Sequence, residues 1–285
     1  MRALILGCGY VGMALGSELV RRGHKVFGLR RTEVGEDELK AIGITPLKGD
    51  ITKPDDFARL PGDFDWVINC VSSSRGDAEE YRRVYLQGMR NLLEWLSTRS
   101  PKKFVYTSST SVYAQTDGSL VTEISPTEPT AGTASVLLET EKILVQAARQ
   151  NFPAVILRAA GIYGPGRGYW FKRFLQGEAK IDGKGERFLN MIHRDDVAGA
   201  IIAALEKGRP GEIYNVVDDE PITQLDLFRW LASTSGQEMP PFAALEQPLE
   251  RKRGWTNKRV SNRKLKTDLG YQFKYPTFRE GYSAA

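Results

Sequence analysis

Arg2-Ala-Leu-Ile-Leu-Gly-Cys-Gly-Tyr-Val-Gly12 sets an apolar run directly before a cluster of glycines. Ala3 to Leu6 is a short apolar run with the length of a buried strand, and three glycines in the spacing G-x-G-x-x-G follow it at once. Met13 to Arg22 then carries Ala14, Leu15, Leu19 and Val20 on one side of a helix, Gly23 closes it, and Lys25 to Leu29 opens a second strand. Strand, glycine turn, helix, strand is the context in which this spacing means dinucleotide binding. Gly7 permits the tight turn, Gly9 lets the backbone approach a pyrophosphate, and Gly12 lets helix and strand pack closely. The helix start, with Tyr10 and Val11, offers free N–H groups and a positive dipole end to phosphates.

The end of the second strand separates two cofactors. NAD sites place an acidic residue there for the ribose 2′-hydroxyl. This chain has Arg30-Arg31, and paired guanidinium groups suit a 2′-phosphate. NADP is the expected cofactor, with NAD left open. Further cofactor contacts are expected where later strands end, at Asp50-Ile51 and at Cys70-Val71-Ser72, because ligands of open α/β sheets bind beyond the carboxyl ends of the strands.

The remaining sequence alternates strands and helices. Strands are expected at Ile44 to Gly49, Phe64 to Asn69, Lys103 to Thr107, Ala154 to Arg158 and Glu212 to Val217. Helices are expected at Asp55 to Leu60, Ala78 to Thr98, Ala134 to Gln150, Asp195 to Glu206 and Thr223 to Ser235. The alternation predicts an α/β fold, a Rossmann-type doubly wound parallel sheet. Residues 1–160 form the nucleotide-binding domain, with 192–218 returning to it. Residues 161–191 and 219–285 make a smaller interleaved substrate region. Asp195 or Asp196 is expected to cap its helix.

Composition sets bounds on function. Of 285 residues, 41% are hydrophobic and 26% charged, as in ordinary soluble domains. No apolar run reaches the ~20 residues of a membrane span. No secretory leader is expected, since Met1 runs straight into the first strand, and the expected location is cytoplasmic. Cys8 and Cys70 form no disulfide framework, and neither they nor His24 and His193 show metal-ligand spacing. The net charge of +5 is concentrated in Arg251-Lys252-Arg253, Lys258-Arg259 and Arg263-Lys264. With Trp255 as its only aromatic, this patch is expected to be a solvated face, with no nucleic acid or membrane as partner.

Three further segments carry a resemblance. Tyr106-Thr-Ser-Ser-Thr-Ser-Val-Tyr113, Leu157-Arg-Ala-Ala-Gly-Ile-Tyr-Gly-Pro-Gly166 and Ile192-His-Arg-Asp-Asp-Val-Ala198, with the glycine motif, resemble the extended short-chain dehydrogenase/reductases of the NAD-dependent epimerase/dehydratase superfamily. The resemblance covers nearly the whole length and implies nicotinamide-dependent oxidoreductase or epimerase chemistry. It places Ser109 at the catalytic Ser/Thr position, with Tyr113 and Tyr163 as phenols near the pocket. Arg167, Trp170 and Arg173, after the Gly-Pro loop, fall where substrate enters. The family's Tyr-x-x-x-Lys pair puts a phenol and a lysine on one helical face. Anchored on Glu141, those positions hold Thr133 and Leu137, and no tyrosine occurs between Tyr113 and Tyr163. Lys142 is half a turn round the helix from Thr133. Tyr85, where such families place an asparagine, is a substitute phenol or a core aromatic. The resemblance is thus to an atypical member with altered acid/base residues. Two functions follow: an NADP-dependent oxidoreductase or epimerase acting on a small molecule, or a non-catalytic NADP(H)-binding sensor or assembly factor. A homodimer is compatible with either.

Overall fold

Seven short apolar segments pair side by side in the computed structural model, which describes residues 1–73, 76–243 and 255–283. They are β1 (Arg2–Leu6), β2 (Lys25–Arg30), β3 (Thr45–Lys48), β4 (Trp66–Asn69), β5 (Lys103–Ser109), β6 (Ala154–Ala159) and β7 (Ile213–Val216). All pair in parallel, in the order β3-β2-β1-β4-β5-β6-β7. Every residue of β4 and β6 is buried, as helices on both faces of a sheet require. Burying Leu4, Ile5 and Leu6 completely contributes about 1.5–3 kcal/mol per side chain.

The chain runs outward from β1 to β3, then returns to place β4 on the other side of β1. That reversal opens a crevice beyond the carboxyl ends of β1 and β4, where doubly wound sheets bind ligands. Three helices border it: α1 (Tyr10–Arg21), α2 (Gly132–Arg149) and α3 (Arg194–Lys207). α1 packs against α3.

The helix expected over 78–98 is interrupted. Ala78–Tyr81 and Gly88–Leu96 are α-helical, and Arg82–Gln87 between them is a π turn. Val84, Tyr85 and Leu86 are all buried there. Such π turns recur at functional sites.

A second core, built on Tyr163, Phe174, Ile181, Leu227, Phe228 and Phe278, lies in the smaller region. Val260, Leu265 and Leu269 belong instead to the main core, so part of 219–285 returns to the large domain. The return is fastened by Asp196, whose fully buried carboxylate accepts from the Tyr271 hydroxyl (2.8 Å), Lys274 N (2.7 Å) and Tyr275 N (2.9 Å). Asp196→Ala leaves three part-buried donors without their acceptor and is expected to cost about 3 kcal/mol in urea unfolding. A cost below ~1 kcal/mol would show that water satisfies them.

The expectation of a solvated basic face divides. Arg259 is exposed, Lys258 is buried, and the Arg251-Lys252-Arg253 run lies outside the described residues. No helix among the described residues is long and apolar enough to cross a membrane, and they hold no cluster of metal ligands.

Candidate active site

The glycine turn has the geometry its sequence demands. Gly7 has φ +74°, and a Cβ there would lie 2.6 Å from the Val71 Cα. A Cβ on Gly12 would sit 3.0 Å from the Gly7 carbonyl and 3.1 Å from Ile5 Cγ2. Gly9 differs: its nearest such neighbour is 3.9 Å away, so open space lies over its Cα. Gly9 also caps α1 and has no side chain to satisfy the first-turn N–H groups.

From this turn a cavity of about 870 Å³ runs along the ends of the strands. Gly7, Gly9, Tyr10 and Val11 line one end, and Cys70, Val71 and Ser72 beyond β4 the side. Thr107, Ser108 and Ser109 at the end of β5, Leu137 of α2 and Tyr85 of the π turn line the middle. Arg167, Tyr169, Trp170, Arg173, Lys180 and Arg187 line the far end, with Asp182 as the carboxylate among them. Most of the expected site residues therefore meet around one space.

The exceptions have physical reasons. Arg30 sits at the end of β2, where Nε donates to the Cys8 carbonyl (2.6 Å) and Nη1 to that of Val34 (3.0 Å). Neighbouring Arg31 is exposed. Both flank the glycine turn outside the enclosed cavity. Asp50 and Ile51 also lie outside it. The Asp50 carboxylate accepts from Thr52 N (2.9 Å), and the Ile51 side chain fills the space that Gly88 leaves.

Tyr113 does not reach the cavity. It ends the tight turn after β5, is fully buried, and its hydroxyl donates to Asn215 Oδ1 (2.8 Å) while accepting from Arg158 Nη1 (2.8 Å). Burial raises its pKa, against the opposing pull of Arg158. It belongs to a network behind the site. Arg158 pairs with Glu141 at 2.7 Å, and Glu141 accepts from the Ser108 hydroxyl at 2.5 Å. Burial opposes the Arg158 charge, but Glu141 outweighs it and holds the guanidinium protonated. This network fixes the end of β5, and with it Ser109, whose Oγ accepts from Ser111 N (3.2 Å).

Tyr163 lines a smaller cavity of about 290 Å³ that adjoins the first at Ser109, Gly161, Ile162, Trp170 and Arg187. Its hydroxyl donates to the Thr277 carbonyl (3.3 Å), its ring packs on His193 and Tyr282, and burial foremost keeps the phenol protonated. His193, not Asp195 or Asp196, caps α3: its Nδ1 accepts from Asp195 N (3.2 Å). That role needs Nδ1 unprotonated, and burial lowers the imidazole pKa in agreement.

Tyr85, read from the sequence as a substitute phenol or a core aromatic, lines the cavity and accepts from Ser73 N (3.2 Å). Other lining residues carry no sequence signal. Arg187, whose guanidinium lies 5.8 Å from the Trp170 ring centre, and Lys180 belong to no motif. Lys258 lines the smaller cavity from a segment far along the chain. Tyr10 lies between Arg167 and Arg194, 5.1 and 5.0 Å from its ring centre, with a buried hydroxyl that has no partner among the described residues.

Comparison with known proteins places this geometry. The profile of the NAD dependent epimerase/dehydratase family matches residues 3–216. Protein YeeZ of Escherichia coli K12 is 30% identical over 283 residues, covering 96% of each chain. A 2-alkyl-3-oxoalkanoate reductase of Shewanella oneidensis is 27% identical over 84% of this chain and 67% of its own. A solved structure from Methylobacillus flagellatus, described as a candidate NAD-dependent epimerase/dehydratase, superposes with TM-score 0.79 and 32% identity, covering 99% of this chain and 96% of that one.

Proposed function

The chain belongs to the NAD dependent epimerase/dehydratase family, and from that premise we propose that it is an NADP-dependent oxidoreductase or epimerase whose small-molecule substrate binds at the cationic end of the cleft. The observation that carries the reading is the continuity of the main cavity from the glycine turn, past Ser109, to Arg167, Trp170, Arg173 and Arg187. A protein that only sensed the dinucleotide would need the first half alone.

The residues present fit a dinucleotide. Gly9 leaves room for a pyrophosphate, and the uncapped start of α1 supplies N–H donors to it. A nicotinamide held there supplies or accepts a hydride. The chain's own groups must then orient the substrate and move the proton. Ser109 is placed to hydrogen-bond a substrate carbonyl or hydroxyl, and the arginines suit a carboxylate or phosphate on the same molecule. Leu137, at the position where the resemblance expects lysine, contributes an aliphatic wall to the cavity. This supports an acid/base arrangement different from the Tyr-x-x-x-Lys pair. The Shewanella relative, named as a reductase, supports the oxidoreductase side of the reading.

Arg30 and Arg31 support NADP. Charge-assisted contacts to a phosphate are worth about 1.5–3 kcal/mol, so Arg30→Ala with Arg31→Ala should weaken NADPH roughly 10- to 150-fold and leave NADH nearly unchanged. Equal weakening of both would overturn the 2′-phosphate assignment. The reaction itself is tested by following NADPH oxidation with carbonyl substrates. Ser109→Ala should abolish it, and undiminished turnover would remove Ser109 from the mechanism.

A further inference from the structure

A buried lysine with no counter-ion among the described residues sits beside Ser109 and Ser111. Lys258 is 4% exposed, unusual for a lysine without a carboxylate partner among those residues. Its Nζ donates to the Tyr113 carbonyl (2.9 Å) and to Thr256 Oγ1 (2.9 Å). Both acceptors are neutral, and an ammonium has a third N–H to give. Lys258 lines the smaller cavity with Ser109, Ser111, Asn190, Thr256 and Tyr163, and that cavity shares a wall with the main cleft. The Ser111 hydroxyl on the same wall is buried and has no hydrogen-bond partner among the described residues. One cavity thus holds an ammonium whose third proton has no acceptor, and a hydroxyl that has no partner, among the described residues.

We propose that Lys258 is a catalytic residue, the proton donor and acceptor at the reacting oxygen of the substrate, with Ser109 and Ser111 as its hydrogen-bonding neighbours. This rests on the oxidoreductase or epimerase reading above. In the reductive direction the substrate carbon gains a hydride from the reduced dinucleotide, and the C=O π pair moves to oxygen. That oxygen takes a proton from the Lys258 ammonium, and water reprotonates the amine. The reverse direction returns the proton to the amine. The charge environment suits the task. Burial pushes the Lys258 pKa down to about 8, near the value at which a group serves as both acid and base in neutral solution. Among the described residues, the ionisable and charged groups facing it are Arg187, Tyr163, Tyr169 and Tyr282 on the cavity wall and Tyr113 below, with no carboxylate in the lining.

Two measurements decide the proposal. In the first, the full chain is treated with benzaldehyde and borohydride, which converts a free amine through an imine to a benzylamine, and labelled peptides are mapped by mass spectrometry. Lys258 should label several-fold faster than surface lysines at pH 8, with its rate rising between pH 7 and 9, and Ser111→Phe should block it. Lys258 left unlabelled while surface lysines react would overturn the assignment. In the second, ethyl acetoacetate and NADPH are the probe. Lys258→Met should lower kcat at least 100-fold, with KM and calorimetric NADPH affinity within threefold of the unmodified chain. Recovery of activity in Lys258→Arg would contradict proton transfer, since guanidinium does not deprotonate. Wild-type inactivity on every carbonyl tried, with Lys258 still labelled, would count against the functional reading, whereas missing label counts against Lys258 alone.

Discussion

Glu141→Leu is expected to destabilise the protein by about 3–5 kcal/mol, the cost of leaving a buried charge unpaired. Glu141 and Arg158 have side chains only 2% and 4% exposed, so water cannot take the place of the lost carboxylate. The same change strands the Ser108 hydroxyl, which donates to Glu141. The double variant Glu141→Leu with Arg158→Met removes both charges and should recover most of that loss, because well-packed apolar pairs often match a buried ion pair. Urea unfolding of the two single variants and the double variant gives the coupling directly. A single-variant cost below ~1 kcal/mol would mean that the Arg158 guanidinium finds another partner or a path to water. The double variant should fold yet show lower turnover, since the network steadies the end of β5 that carries Ser109.

The second large effect falls on binding. Gly9→Ala places a methyl group in the open space over the Gly9 Cα, where, its chain neighbours aside, no described residue lies closer than 3.9 Å. The folded chain should accommodate it with little change in Tm, while a bound pyrophosphate should not. Loss of dinucleotide affinity by at least 100-fold, about 2.7 kcal/mol, is the expected calorimetric result. Gly7→Ala is the contrast: its Cβ would collide with the Val71 backbone, so affinity and Tm should fall together. Unchanged affinity in Gly9→Ala would mean that the phosphates bind elsewhere.

The sheet and the glycine turn were legible because both rest on local rules. Apolar runs of strand length, a glycine spacing and a helix start at fixed offsets can all be read without knowing what packs on what. Ser109 and the arginines after the Gly-Pro loop were legible through the resemblance, and they line the cleft. Tyr113 was misplaced because sequence places a residue at the end of a strand but not the direction its side chain takes after a tight turn. It points into the Arg158–Asn215 network instead. The π turn was hidden because three adjacent inward residues look like an ordinary helix with a wide apolar face. Lys258 shows the limit most clearly. In sequence it belongs to a basic stretch, and only tertiary packing buries it beside residues more than a hundred positions earlier, at Ser109 and Ser111.

The proposed function requires the cleft beginning at Gly7 to Gly12 to hold NADP beside its substrate. Calorimetric titration of the intact chain with NADP⁺, NADPH, NAD⁺ and NADH at one ionic strength tests it most directly. Saturable binding of all four is expected, with the two phosphorylated forms tighter by at least tenfold and similar to each other. Absence of binding by any of the four would contradict it at its base.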